Sequence, residues 1–210
     1  MTVAAVIPAY NEERTVGNIL SLLKSISLID EIILVSDGST DKTAHIGRSY
    51  GVSVIELTKN QGKVSAVMCG VKSTNADIVL LLDADLVGLK EEHVLDLLAP
   101  VLKGESDMTV GVFKKGRGAT DLAQKIAPFL SGQRALRRWI FDKLEDYNAK
   151  DYGLEMALTA IAKKENLKVK LVVLNELTHV MKEEKRGFII GAASRLKMYK
   201  DILAFFFKSK

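Results

Sequence analysis

Two carboxylates, Asp83 and Asp85, stand at the end of the apolar run Ile78-Val79-Leu80-Leu81-Leu82. An unbroken apolar run of this length reads as a central strand buried on both faces. In an extended chain, residues i and i+2 face the same side, roughly 6–7 Å apart. Both carboxylates are therefore expected to project from the carboxyl end of that strand, the edge where open α/β sheets bind ligands. Paired hard oxygen donors suit Mg2+ or Mn2+ beside a phosphorylated ligand. An acidic turn that only stops a strand would carry the same residues, so the other polar residues must decide between the two readings.

Lys63 follows Gly62 at the start of a helical pattern that runs to about Ser73. A cation in a first turn opposes the helix dipole. Its charge and the free backbone N–H groups can instead meet a phosphate. Asp37-Gly38-Ser39-Thr40-Asp41 forms a tight turn after another apolar run, with residues suited to capping a following helix. Pro8-Ala9-Tyr10-Asn11-Glu12-Glu13 ends the first apolar run, with Asn11 as the expected N-cap and the two glutamates at the positive end of the helix dipole.

The elements needed to position these residues are legible. Strands are expected at 3–7, 31–36, 52–57 and 78–82, alternating with helices that begin near 12, 41 and 62. Such short connections between parallel strands imply right-handed crossovers in a doubly wound sheet. The later half reads as a helix over 90–103, a strand at 108–113, a basic loop containing Lys114 and Arg117, and helices near 119–129, 134–146 and 152–165. A strand at 169–174, the short stretch Thr178-His179-Val180 and a closing helix over 194–207 complete it.

The chain has 210 residues, 48% of them hydrophobic, enough for one sizeable core. Its net charge of +4 suits anionic small molecules or a membrane surface and does not call for nucleic acid. The single cysteine, Cys69, allows no internal disulfide and reads as a buried thiol in a reducing compartment. No signal-peptide pattern is read at the start, and no apolar run approaches the roughly 20 residues of a membrane-spanning helix. A cytoplasmic location is expected, with peripheral attachment at the inner face of the cell membrane as an option.

Taken together, Val6-Ile7-Pro8-Ala9-Tyr10-Asn11-Glu12-Glu13, Val35-Ser36-Asp37-Gly38-Ser39-Thr40-Asp41-Lys42-Thr43, Gly62-Lys63 and Asp83-Ala84-Asp85 resemble the nucleotide-binding half of GT-A glycosyltransferases. Ser131-Gly132-Gln133-Arg134-Ala135, Tyr152-Gly153-Leu154-Glu155 and Thr178-His179 resemble the acceptor and metal elements of family 2 members, with features close to glucosyl-3-phosphoglycerate synthases. The resemblance covers about residues 3–182 and implies a GT-A (Rossmann-like), mostly parallel sheet flanked by helices, in a domain expected over 1–193. Residues 1–88 would form the nucleotide-binding half and 89–193 the acceptor and metal half, with 194–210 an amphipathic helical appendage.

It also implies a nucleotide-sugar donor and a Mg2+ or Mn2+ ion; Asp37 suits a UDP- or GDP-linked donor, the basic residues suit a phosphorylated acceptor, and an interfacial closing helix would suit a lipid-linked one. Pro8, Ala9, Tyr10, Glu12, Asp37, Ser39, Lys63, Asp83 and Ala84 are then expected at the nucleotide. Glu12 would accept a ribose hydroxyl, and Asp37 and Ser39 would bound a pocket for uracil or guanine. Asp85 and His179 become the metal ligands. Gly132, Gln133 and Arg134, with Lys114 and Arg117, become acceptor contacts, since arginine grips phosphate bidentately. Glu155, Asp85 and Lys63 are the catalytic candidates. Glu155 is the general base if the reaction inverts, although Gly153-Leu154-Glu155 is nearer to the retaining synthases.

The rivals are a nucleotidyltransferase, disfavoured because no Gly-rich basic loop follows the first strand, and a noncatalytic nucleotide-sugar binding protein. The closing helix mixes lysines with Leu196, Met198, Ile202, Leu203 and Phe205-Phe206-Phe207. Packing or homodimerisation explains that face slightly better than a membrane interface.

Overall fold

The computed structural model describes residues 1–113, 131–146 and 153–179. Lys114 and Arg117, the helix expected over 119–129, Tyr152, and the closing helix over 194–207 lie outside the described residues, as does the imidazole of His179.

The first strand, β1 (Val3–Ala9), leads through a turn to α1 (Val16–Ser25), then β2 (Glu31–Asp37), α2 (Thr43–Ser49), β3 (Ser53–Leu57), α3 (Lys63–Lys72) and β4 (Ile78–Leu81). A two-residue strand β5 (Leu86–Val87), α4 (Glu91–Leu102), β6 (Met108–Phe113) and β7 (Arg134–Arg137) follow. A 3-10 helix (Arg138–Asp146), α5 (Leu154–Lys164), β8 (Val169–Leu174) and β9 (Thr178–His179) close the described part.

Seven strands form one sheet in the order β3-β2-β1-β4-β7-β6-β8, and β5 pairs separately with β9. The pairs β1–β2, β1–β4, β2–β3 and β6–β8 are parallel, whereas β7 runs antiparallel to both β4 and β6. The chain moves outward from β1 to β3 and then returns to the other side of β1 with β4. The reversal leaves a crevice at the carboxyl ends of β1 and β4.

All four residues of β4 are buried, as its apolar run foretold. One layer packs Ile7, Leu20, Leu80 and Leu97 on one face of the sheet, and another packs Val6, Val79, Leu136 and Ile161 on the other. Burying each such side chain contributes about 1.5–3 kcal/mol, which fixes the register of the strands that carry the polar loops.

Three expectations are corrected. Asn11 does not cap α1: it takes a left-handed conformation with φ 57°, and α1 begins five residues later at Val16. Its side chain instead accepts from the Thr40 amide at 2.8 Å, tying the first loop to the second.

The helix expected over 134–146 is a strand followed by a 3-10 helix. Ala135, Leu136, Ile140, Phe141 and Leu144 are all buried, and their spacing imitates a helical face. Arg134 is 1% exposed, so a residue that reads as surface is interior strand.

The ladder of β4 stops at Leu81, and Ala84 and Asp85 lie in a turn. Asp83 and Asp85 are therefore not adjacent positions on one face of a pleated strand.

Candidate active site

The helix α3 begins at Lys63, immediately after Gly62 at φ 87°. This start is held from β2. Asp37, 4% exposed, accepts from the Gln61 amide at 2.7 Å and the Gly62 amide at 2.9 Å. Both of its oxygens thus hold the loop that delivers Lys63. Gly38 is required beside it, because a Cβ there would lie 2.4 Å from the Asn60 nitrogen. Asp37 therefore has a structural task at the expected base pocket.

The Lys63 ammonium stands 2.6 Å from Asp83 Oδ1 and 2.5 Å from Glu155 Oε1. Glu155 is in the first turn of α5, after Gly153 at φ 81°. Three stretches separated by up to 92 residues thus meet at one cation. Desolvation opposes the charge on Lys63, but the attraction of Asp83 and then Glu155, with their hydrogen bonds, outweighs it. The lysine is held well above its ordinary range, so it is a fixed cation and no base at neutral pH.

Asp83 Oδ2 accepts a second hydrogen bond, 2.8 Å from Gln133 Nε2. Gly132 packs on the same pair: a Cβ there would lie 2.6 Å from Lys63 Nζ and 2.7 Å from Asp83 Oδ2. Arg134 is behind them, donating from Nε to the Ser131 carbonyl at 3.0 Å and from a terminal nitrogen to the Glu155 carbonyl at 3.1 Å. Burial pulls its guanidinium down to about 10, against the favourable charge of Glu155. Arg134 was expected at the acceptor. Its donors are instead turned inward to hold β7 to α5, because a buried arginine must spend them on protein acceptors.

On the β1 side, Ala9 is buried and Tyr10 is 39% exposed. Pro8 is half-buried at the end of β1. The backbone amide of Glu12 donates to Thr43 Oγ1 at 2.8 Å, and Thr43 is held by Asp41 Oδ1 at 2.5 Å. Ser39 Oγ accepts from the Asn11 amide at 3.1 Å. Ala84 is buried, and its carbonyl accepts from Thr15 Oγ1 at 2.7 Å, which pins the aspartate turn to the entrance of α1.

β5 and β9 are antiparallel with Leu86 opposite His179. That register brings the backbone of His179 beside the residue that follows Asp85. Among the described residues no three His, Cys, Asp or Glu side chains gather as a metal site.

Sequence reasoning missed Thr15 and Thr43 as supports, and it read Asp41 only as a capping residue for the next helix, where its Oδ1 does accept from the Thr43 amide at 2.9 Å. Their signal was present as capping-type residues in the two loops, but which loop each one braces depends on the β1–β2 register.

The switch point of the mostly parallel sheet, with loops after β1, β2 and β4 on one edge, is that of a doubly wound α/β fold, and its likeness to solved glycosyltransferase structures makes it a GT-A fold. The crystal structure of glucosyl-3-phosphoglycerate synthase from Mycobacterium tuberculosis with Mn2+, UDP and glucosyl-3-phosphoglycerate superposes with a TM-score of 0.75 at 24% identity. That match covers 97% of this chain and 79% of the other. The structure of the same enzyme with Mg2+ and UDP gives a TM-score of 0.73 at 25% identity over 97% of this chain and 78% of the other.

The chain belongs to glycosyl transferase family 2, whose profile matches residues 4–162. The Mycobacterium tuberculosis synthase is 29% identical in sequence over a 194-residue alignment covering 75% of this chain. The matched part spans 59% of that relative's length. A 4,4'-diaponeurosporenoate glycosyltransferase of Staphylococcus aureus is 33% identical over 109 residues, covering 49% of this chain and 29% of the relative.

Proposed function

We propose that this protein is a metal-dependent hexosyltransferase that moves a sugar from a nucleoside diphosphate donor, UDP- or GDP-linked, to a phosphorylated small molecule. The observation that carries the reading is the placement of Lys63. It starts α3, faces the carboxyl end of β4, and is held between Asp83 and Glu155.

In this reading Pro8, Ala9, Tyr10, Glu12, Asp37 and Ser39 enclose the base and ribose. Asp83 completes the ribose side. Ala84 contributes backbone, because its methyl group is buried.

A hard divalent cation fits the donors available. Asp85 offers a carboxylate, and the backbone of His179 lies opposite Leu86, the residue after Asp85. Asp85 and His179 would hold Mg2+ or Mn2+, with diphosphate oxygens completing the shell. When bound, the ion supplies charge neutralisation at the leaving diphosphate.

Lys63 and the first amides of α3 meet the same developing charge from the protein side. The cation is preorganised because Asp83 and Glu155 fix it before the donor arrives. Glu155 steadies Lys63 and lines the acceptor side. It serves as base only if the sugar is inverted, and then it must exchange its Lys63 contact for the acceptor hydroxyl. In this reading Gly132 and Lys114 would contact the acceptor.

A phosphorylated small molecule is favoured over a lipid-linked acceptor. Similarity to the mycobacterial synthase extends over 75% of this chain, against 49% for the carotenoid glycosyltransferase. The solved complexes of that synthase contain phosphoglyceric acid or glycerol 3-phosphate as well as UDP-glucose. Among the described residues no helix is long and apolar enough to cross a membrane. Homodimerisation or peripheral membrane contact through 194–210 remains a separate part of the proposal, tested by sedimentation and liposome flotation of full-length and truncated chains.

The primary test is thermal stability with UDP, GDP, CDP and ADP, each with Mn2+ or with EDTA. One diphosphate should raise the melting temperature with Mn2+ only, and Asp85→Ala should abolish the shift. No shift with any diphosphate would overturn the glycosyltransferase reading in favour of a noncatalytic fold relative.

A further inference from the structure

Gln133 was expected to touch the acceptor, yet its side chain is enclosed and directed at the donor side. It is 0% exposed, and Nε2 donates to Asp83 Oδ2 at 2.8 Å. The orientation of its amide is fixed by a chain of proton bookkeeping. The Gln133 backbone N–H donates to Ser131 Oγ at 3.4 Å, so the hydroxyl proton is free to point elsewhere. Ser131 Oγ then donates to Gln133 Oε1 at 3.0 Å. With Oε1 used as acceptor, the NH2 group must face Asp83. The backbone is held as well, because the Gly111 amide donates to the Gln133 carbonyl at 2.8 Å.

The result is a directed series, Ser131 to Gln133 to Asp83. It ends on the carboxylate whose other oxygen holds Lys63 at 2.6 Å. Asp83 lies beyond the last paired residue of β4, so the strand ladder does not fix its side chain. Gln133 supplies that constraint from β7's approach, while Gly132 leaves the space for it.

We infer that Gln133 is a positioning residue of the donor site, oriented by Ser131, which sets Asp83 and through it Lys63 for the nucleoside diphosphate. Gln133 touches neither acceptor nor donor. The inference rests on the donor-site reading above, and it assigns to the segment after residue 130 a task on the opposite substrate from the one its sequence suggests.

The test has two arms. The first needs no ligand. Urea unfolding of wild type, Gln133→Ala, Asp83→Asn and the double variant forms a cycle, and the two positions should be non-additive. Additivity would overturn the inference, whatever the enzyme binds.

The second arm titrates UDP and GDP with Mn2+ into folded variants. Gln133→Glu keeps the shape but replaces the donor with a carboxylate. It and Gln133→Ala should weaken the diphosphate by about tenfold or more, the scale of one charge-assisted hydrogen bond. Ser131→Ala should lose part of the same affinity, and Ser131→Thr, which keeps the hydroxyl, should restore it. In turnover with phosphoglyceric acid as acceptor, the donor KM should rise while the acceptor KM stays constant.

A rise in acceptor KM alone would return Gln133 to the acceptor and overturn the inference. Wild type that binds neither diphosphate would count against the glycosyltransferase reading, and the ligand-free cycle would still decide the Gln133–Asp83 link.

Discussion

Gly132 lies against Lys63 so closely that a methyl group on it would be 2.6 Å from the ammonium nitrogen. Glycine is needed here for space, since this contact is with the far end of a side chain that two carboxylates already hold. Gly132→Ala is expected to push Lys63 and Asp83 apart. Nucleoside diphosphate affinity should fall roughly tenfold, about 1.4 kcal/mol, with little change in melting temperature. Calorimetric titration beside a thermal melt separates the two effects.

Removing the cation is a harsher change. Lys63→Met leaves Asp83 and Glu155 facing a vacated position with no positive charge between them. The rate of sugar transfer should fall by about 10²–10³, the scale of losing one preorganised charge-stabilising group. Lys63→Arg should not restore it, because the wider guanidinium cannot fit between oxygens 2.6 and 2.5 Å from one nitrogen. Full activity in Lys63→Arg would show that charge alone suffices.

The pH dependence follows from the direction of the Lys63 shift. Its folded value lies above the ordinary lysine value of 10.5, so its ion pairs contribute fully below that value. They are lost only as pH rises through the higher folded value. Diphosphate affinity should therefore show no lysine ionisation between about pH 6 and about pH 9. A loss with a midpoint in that interval, absent from Lys63→Met, would contradict a clamped cation.

Arg134 affects stability first. Arg134→Leu fills part of the volume but leaves the Ser131 and Glu155 carbonyls without their guanidinium donors. A loss of about 2–4 kcal/mol is expected in urea unfolding. Lysine should not rescue it, since one ammonium cannot reach both carbonyls. For the wild type, burial lowers the folded arginine to about 10, so the cost of charging it is present below that pH and eases above it.

Gly38→Ala tests the loop beneath the proposed base pocket. Its Cβ would meet the backbone of Asn60 and Lys59 at 2.4 Å, at a φ of 67° that L side chains avoid. Backbone cannot yield as a flexible side chain can. The loop should shift and release Asp37 from the Gln61 and Gly62 amides. Protease cleavage near residue 60 should speed up, and diphosphate affinity should fall with it.

The first half of this fold was legible because its signals are local. Apolar runs marked β1, β2 and β4, and the polar loops after them carry the residues of the crevice. The second half was not, because β7 is a four-residue strand with an arginine inside it. Arg134 reads as surface unless the carbonyls of Ser131 and Glu155 are known to receive it. The meeting of Lys63, Asp83 and Glu155 was only partly legible. Each was identified separately, but the shared cation depends on α5 packing near α3, which no spacing in the sequence encodes. The contact of Gln133 with Asp83 was not legible, because an amide in a motif carries no mark of the direction in which it faces.

The antiparallel insertion of β7 has a consequence for how the chain acquires its shape during synthesis. β4 is paired with β1 on one side and with β7 on the other. A nascent chain that has emerged only as far as residue 113 holds the loops after β1, β2 and β4, yet the edge of β4 that β7 will cover is bare. That edge is four buried apolar residues long, the kind that recruits other strands. Closure must wait for a segment more than 50 residues away in sequence, a long-range pairing that is slow to form. The strand that brings Gln133 to Asp83 also seals this edge, so the onset of ligand binding and the end of the aggregation-prone interval should coincide.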